Sequence, residues 1–174
     1  MRYFTSDLHF GHKGILKYCN RPFANTQEGD QFLIDAINDL ECDELWVLGD
    51  FCFTGSTRAV EIVNQLKPNL TLVRGNHDHD RVVRRLTENG VTILDTHDGI
   101  IAGREVTISH YPFNDSRYPD RSPANDGRVV VHGHIHDIRG VAKNQVNVGW
   151  DYWNRFLSED EIGDLIDKSR NFIP

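Results

Sequence analysis

The sequence predicts an α/β fold, and three observations carry that reading. Apolar runs of strand length alternate with stretches of helical spacing through the first half of the chain, five polar clusters each follow directly on such a run, and a hairpin with further short strands comes afterwards. Tyr3 to Ser6 opens as a strand and leads into a polar loop with Gly11, Gly14 and Pro22. Phe32, Leu33, Ala36, Ile37 and Leu40 then recur at helical spacing. Leu45 to Leu48 reads as a second strand, Thr57 to Leu66 as a second helix and Leu70 to Val73 as a third strand, with a third helix suggested by Val82, Val83 and Leu86. This alternation implies parallel pairing, with helices on a sheet face. Val91 to Leu94, Gly99 to Ala102 and Glu105 to Ser109 are short strands, the last two joined at Gly103-Arg104 as a hairpin. Tyr111 to Gly127, broken by Pro112, Pro119 and Pro123, is expected to be a long loop of the kind that serves function. Arg128 to His132 and Val141 to Val148 are two more strands, and Ser158 followed by Glu161 is a capping-box pattern announcing a final helix.

A chain of 174 residues is long enough for one sizeable core and short for two, so one domain spanning 1–174 is expected. Hydrophobic residues at 39% and charged residues at 26% are ordinary globular values. No apolar run approaches the roughly 20 residues of a membrane helix, and the N-terminus reaches Asp7 too soon for a signal peptide, so a cytoplasmic protein with no membrane partner is expected. Cys19, Cys42 and Cys52 are odd in number and form no Cys-x-x-Cys pair, which argues against a disulfide framework or a thiolate metal site. A net charge of −7 disfavours extended nucleic acid as a partner, because such binding draws on Lys and Arg to displace counterions. A small phosphate ester gripped by metal ions fits better. Oligomeric state is not legible.

The clusters are Asp7-Leu8-His9, Gly49-Asp50, Gly75-Asn76-His77-Asp78, His110 and Gly133-His134-Ile135-His136. Asp7 and His9 lie two apart, so on an extended backbone both side chains leave one face and reach one ion, and His134 and His136 repeat the spacing. An aspartate can bridge two cations through its two oxygens. Imidazole nitrogens select manganese, iron, zinc or nickel over magnesium or calcium, and the absence of sulfur suits chemistry at phosphorus.

In this order the clusters resemble those of the calcineurin-like metallophosphoesterases: Asp-x-His, Gly-Asp, Gly-Asn-His-Asp or Glu, a lone His, and Gly-His-x-His, matched from residue 7 to 136. The resemblance implies two divalent ions, manganese favoured, one held by Asp7, His9, Asp50 and His136, the other by Asp50, Asn76, His110 and His134. It also implies a sandwich of two mixed β-sheets flanked by helices with the metals at strand C-terminal ends, where the residue pattern alone leaves an open α/β sheet equally available. The chemistry implied is in-line attack on phosphorus by a hydroxide held between ions about 3.5–4 Å apart. His77 would protonate the leaving oxygen, and Asp78 would orient or charge-stabilise that imidazole. One departure stands out: the protein phosphatases of this family read Gly-Asp-x-x-Asp-Arg, whereas Gly49-Asp50 here continues Phe51-Cys52-Phe53-Thr54, so the second acid and its substrate-contacting arginine are missing. Small phosphodiesters, 2′,3′-cyclic nucleotides among them, are therefore the expected substrates. The alternatives are a phosphomonoesterase, a nuclease of the same family, and a non-catalytic scaffold on this fold.

Outside the clusters, His12 is expected at the site mouth as a substrate contact, and Arg21 is the nearby cation for a phosphate oxygen. His79 and His97 read as surface residues and His132 as a satisfied core histidine. The aromatic-rich stretch Asn147-Val148-Gly149-Trp150-Asp151-Tyr152-Trp153 reads as a hydrophobic seam beneath the last helix, with a base-stacking platform as the alternative.

Overall fold

Period-two alternation in the apolar runs decides the layering. The computed structural model describes residues 1–172. Its first sheet has five strands in the order β10 (Leu157–Ser158), β1 (Arg2–Thr5), β2 (Glu44–Val47), β3 (Asn69–Val73), β4 (Thr92–Leu94), all parallel except the antiparallel edge strand β10. The second, also five-stranded, runs β5 (His97–Ile101), β6 (Arg104–Ile108), β7 (Val129–His132), β9 (Gln145–Asn147), β8 (Val141–Ala142), with parallel pairing at its centre and antiparallel hairpins at both edges. Phe4, Trp46, Leu48 and Val73 project from one face of the first sheet to meet Val106, Ile108, Val129, Val131 and Val146 of the second. The alternate residues Leu45, Val47, Leu70 and Leu72 project the other way, under Leu33 and Ile37 of α2 (Thr26–Asn38), Ile62 of α3 (Ser56–Val63) and Val82 and Leu86 of α4 (Asp80–Glu88). The result is a sandwich of two mixed sheets flanked by helices. The last helix, α6 (Glu159–Arg170), carries the capping box that the sequence announces: Ser158 accepts from the Glu161 amide while the Glu161 carboxylate accepts from the Ser158 amide.

Several elements differ from expectation. The stretch Val141–Val148 is two strands rather than one, turned at Lys143-Asn144 with Asn144 in the left-handed region at φ 52°. The β5–β6 turn falls one residue earlier than expected, on Ala102-Gly103, both at positive φ as a two-residue hairpin loop requires. The helices α1 (Ile15–Tyr18) and α5 (Trp150–Trp153) are single turns, too short to display a period. Tyr111 to Gly127 contains no helix or strand, as expected of it. His79 and His97 are exposed, and the buried His132 is satisfied by the Gly133 carbonyl at 2.8 Å. All three cysteines are free thiols. Among the described residues no helix is long and apolar enough to cross a membrane.

Candidate metal centre

The strands β1, β2, β3, β6 and β7 each hand over to one polar cluster at their C-terminal ends, and parallel pairing brings those ends to one edge of the sandwich. There the strand ladder stops and loops bond to loops: the Asp7 amide donates to the Gly49 carbonyl and the His9 amide to the Asp50 carbonyl, both at 3.0 Å. Asp7, His9, Asp50, His134 and His136 all stand in the left-handed region, with φ between 49° and 70°. Non-glycine residues adopt it at a cost, and such outliers gather at functional sites. Two glycines permit the close approach of these turns. A Cβ on Gly75 would lie 2.3 Å from Asp50 Oδ1, and one on Gly133 would lie 1.8 Å from Ser6 Oγ.

Three sets of candidate ligand atoms result: Cys19 and Asp151 form one with His136 behind the strand ends, and at the strand ends lie two groups, Asp7, His9 and His136 in one and Asp7, Asp50 and His110 in the other. Asp50 Oδ2 lies between them, 3.6 Å from His9 Nε2 and 3.5 Å from His110 Nε2. Asn76 Oδ1 is 3.1 Å and His134 Nδ1 3.2 Å from His110 Nε2, so both join the second group. His77 donates its amide to Asp50 Oδ1, and its partly exposed ring has Nε2 4.0 Å from Asp50 Oδ2. His12 lines the same cleft, its ring centroid 5.3 Å from that of His9.

The electrostatics fit a divalent metal. Asp7 and Asp50 are buried, and among the described residues their only ion-pair partners are histidines. Burial, followed by the neighbouring Asp78 charge, pushes Asp50 up to about 6, and burial likewise raises Asp7. Burial pushes His9 down to about 2 and His134 to about 3, which keeps both imidazoles neutral as ligation requires. Asp7 Oδ1 and both ring nitrogens of His9 are buried with no hydrogen-bond partner. A buried polar atom left unpaired is costly, and a cation at this place would satisfy Asp7 Oδ1 and one of the His9 nitrogens.

The outer nitrogens of the other imidazoles are already committed, which fixes the nitrogen that faces inward. His110 Nδ1 meets the Leu48 carbonyl at 2.7 Å, His134 Nε2 meets Asp115 Oδ2 at 3.0 Å, and His136 Nδ1 meets Asp151 Oδ2 at 2.8 Å. Burial alone would depress His136, but its bonds with Asp151 and Cys19 and the Asp7 charge outweigh it and raise its pKa to about 11. Burial also opposes the charge on Asp151, which His136 and Arg21 nonetheless hold down at about 2. Asp151→Asn keeps the shape and loses the charge, so metal affinity is expected to fall about 10–100-fold, as for other carboxylates behind a ligating histidine. Titration of the metal-free protein with manganese measures this; unchanged affinity would reduce Asp151 to a packing role.

Three sequence expectations need correction. Arg21 is not a phosphate contact: it is buried, bound at both ends of its guanidinium to Asp151 and donating to the carbonyls of Asp7 and Leu8 at 2.6 and 2.7 Å. The left-handed turn at Asp7 takes those carbonyls off the strand ladder, and Arg21 satisfies them. Asp78 does not orient His77: its carboxylate accepts from the amides of Asp50, Phe51 and Gly75 and so pins two of the ligand-bearing turns together. His134 and His136 do not share a face, because the backbone there is left-handed rather than extended, and their rings serve different groups. Sequence reasoning missed Asp151 and Asp115 altogether. The first hides in an aromatic stretch that only partly forms the expected seam: Trp153 packs against the cluster holding Ile162 and Ile166 of the last helix, whereas Trp150 is buried against Phe156 and Phe32 on the α2 side and Tyr152 is exposed. The second lies in a loop with no periodicity to read.

Acidic and imidazole side chains gathered at the strand ends of a two-sheet sandwich could hold metal ions, the class of site a metal-dependent phosphoesterase needs. The profile of the calcineurin-like phosphoesterase superfamily domain matches residues 3–150, and the chain belongs to that superfamily. It is 29% identical to the Gene 66 protein of Mycobacterium phage L5 over 94% of this chain and 93% of that one. It is 32% identical to an uncharacterized protein of Methanocaldococcus jannaschii over 97% and 92% of the two chains. Among solved structures, a protein of unknown function from Aquifex aeolicus superposes with a TM-score of 0.73 at 28% identity, covering 95% of this chain and 99% of that one. A structure described as a novel archaeal phosphodiesterase shares the fold at 17% identity and a TM-score of 0.51, covering 85% and 81%.

Proposed function

We propose that the chain is a two-metal phosphodiesterase acting on small substrates, with 2′,3′-cyclic nucleotides as the representative class. The observation that carries the reading is the position of Asp50 Oδ2, shared between His9 on one side and His110 on the other. Asp7, His9, Asp50 and His136 would hold one ion, and Asp50, Asn76, His110 and His134 the other. Two such ions, when bound, supply Lewis acidity towards phosphoryl oxygens and lower the pKa of an attacking water. His77 stands at the cleft where a leaving oxygen needs a proton, and His12 beside it contacts the ester group. As the water oxygen bonds to phosphorus, the bond to the leaving oxygen breaks and His77 delivers its proton there, with no covalent intermediate. The likeness in fold to an archaeal phosphodiesterase and the missing second Asp-Arg pair support diester over phosphoprotein. Manganese in both places accords with the mixed oxygen and nitrogen ligands, and the proposal includes a cytoplasmic setting.

Metal removal tests the reading. Dialysis against a chelator is expected to abolish hydrolysis of an aryl phosphodiester, and manganese to restore it at two ions per chain. A single restoring ion would overturn the two-metal arrangement. Comparison of kcat/KM across cyclic nucleotides, aryl diesters, aryl monoesters and single-stranded DNA tests the substrate, and a preference for monoesters or DNA would overturn the diester assignment.

A further inference from the structure

Exposed apolar surface is unevenly spread over this molecule. Among the described residues seven large hydrophobic side chains are exposed, and three of them, Tyr18, Phe53 and Ile138, line a cleft of about 520 Å³ that also holds His9, His77, His134 and His136. They form a wall. The His12 ring packs on Phe53 at 4.3 Å between centroids and meets Tyr18 edge-on at 6.3 Å, while Phe53 meets His77 edge-on at 5.3 Å. Contiguous apolar surface beside a polar centre marks a binding surface. The cleft also carries charge. Arg117 is the only lysine or arginine among the described residues lining this cleft, and its side chain is 64% exposed. Asp115 grips it through Nε and Nη2 and so fixes its direction, with Nη2 3.0 Å from His134 Nε2, while Nη1 makes no hydrogen bond among the described residues.

We infer that this cleft is a two-part substrate site: Arg117 anchors a phosphoryl oxygen, and the wall of Tyr18, Phe53 and Ile138 takes a planar ring carried on the ester, such as a nucleobase. The inference rests on the phosphoesterase reading and deepens it. A guanidinium held by a carboxylate presents a preorganised donor edge, which suits a phosphoryl oxygen and supplies the cation that Arg21 does not. Flat aromatic faces favour a ring of any base identity, because stacking needs a π-face rather than a hydrogen-bond pattern. The cleft therefore selects for a ring and against phosphates on flexible polar chains, such as phosphoserine or glycerol phosphate.

Calorimetric titration of the manganese-loaded protein with three product-like ligands, inorganic phosphate, glycerol phosphate and adenosine monophosphate, tests this. Adenosine monophosphate is expected to bind about 10-fold or more tightly than the other two. Tyr18→Ala and Phe53→Ala should each shrink that ratio while leaving phosphate affinity unchanged, and Arg117→Met should weaken all three ligands by a similar factor of about 10. Phosphate binding with no preference for the ring, or a preference that survives both wall substitutions, would overturn the wall. A ligand series unaffected by Arg117→Met would overturn the anchor. Failure of the metal-loaded protein to bind phosphate at all would instead overturn the phosphoesterase reading beneath both.

Discussion

Asp50→Ala is expected to eliminate hydrolysis and to empty both ligand groups of metal, a larger loss than the roughly 10–100-fold that follows from removing a carboxylate behind a ligand. Asp50 Oδ2 serves His9 on one side and His110 on the other, and Oδ1 accepts the His77 amide, so no other residue replaces it. The metal-free protein should tolerate the change. Burial and the adjacent Asp78 raise the pKa of Asp50 to about 6, so its ionised form is unfavourable in the absence of a cation, and removing it relieves repulsion. The expected pattern is a metal-free melting temperature close to wild type together with loss of the rise that manganese produces in the wild-type protein. An alanine variant that still binds two ions, or that keeps the manganese-dependent rise, would show that Asp50 is not shared.

The second large effect concerns His77. General acid catalysis is typically worth about 10²–10⁴-fold, and His77→Ala is expected to lose rate on that scale while keeping its metal. Its ring is partly exposed at the cleft and 4.0 Å from Asp50, outside both ligand groups. The loss should shrink for a nitrophenyl ester, whose leaving group departs without a proton, and persist for an alkoxide leaving group. Equal losses on both esters, or a parallel loss of manganese, would place His77 among the structural or ligating residues instead. Asp78 does not bond the His77 ring, which packs against Phe53 and His9 instead.

The gathering of the candidate ligands at one edge was legible in the sequence because each cluster is short and directly follows a strand, so local order along the chain translates into position at a sheet edge. The reach of each ligand was not. The two-residue spacing of Asp7 and His9 suggested a shared face on extended backbone, yet both are left-handed, and the same spacing at His134 and His136 sends the rings to different groups. The sandwich could be anticipated through family likeness, whereas alternation alone was equally compatible with an open sheet; what decides it is contact between Val73 or Leu48 and Val131, which is long in sequence and leaves no local mark. Short elements such as α1, α5 and β10 escaped for want of a period. Arg21 and Asp151 were misread or missed for a related reason: they are 130 positions apart, and nothing near either one signals a buried ion pair at 2.6 Å. Loop residue Asp115, which fixes both His134 and Arg117, is likewise visible only in three dimensions.

The left-handed backbone at Asp7, His9, Asp50, His134 and His136 sets stability and catalysis against each other at the same five positions. Each costs the fold on the order of 1 kcal/mol that glycine would not incur, within a total stability of about 5–15 kcal/mol for an ordinary domain. A lineage or a laboratory selection that rewarded heat resistance alone would find its easiest gains at these sites, and would dismantle the metal centre before touching the sandwich. On the proposed function, five strained side chains standing where glycine would be cheaper are the cost this backbone bears for its chemistry.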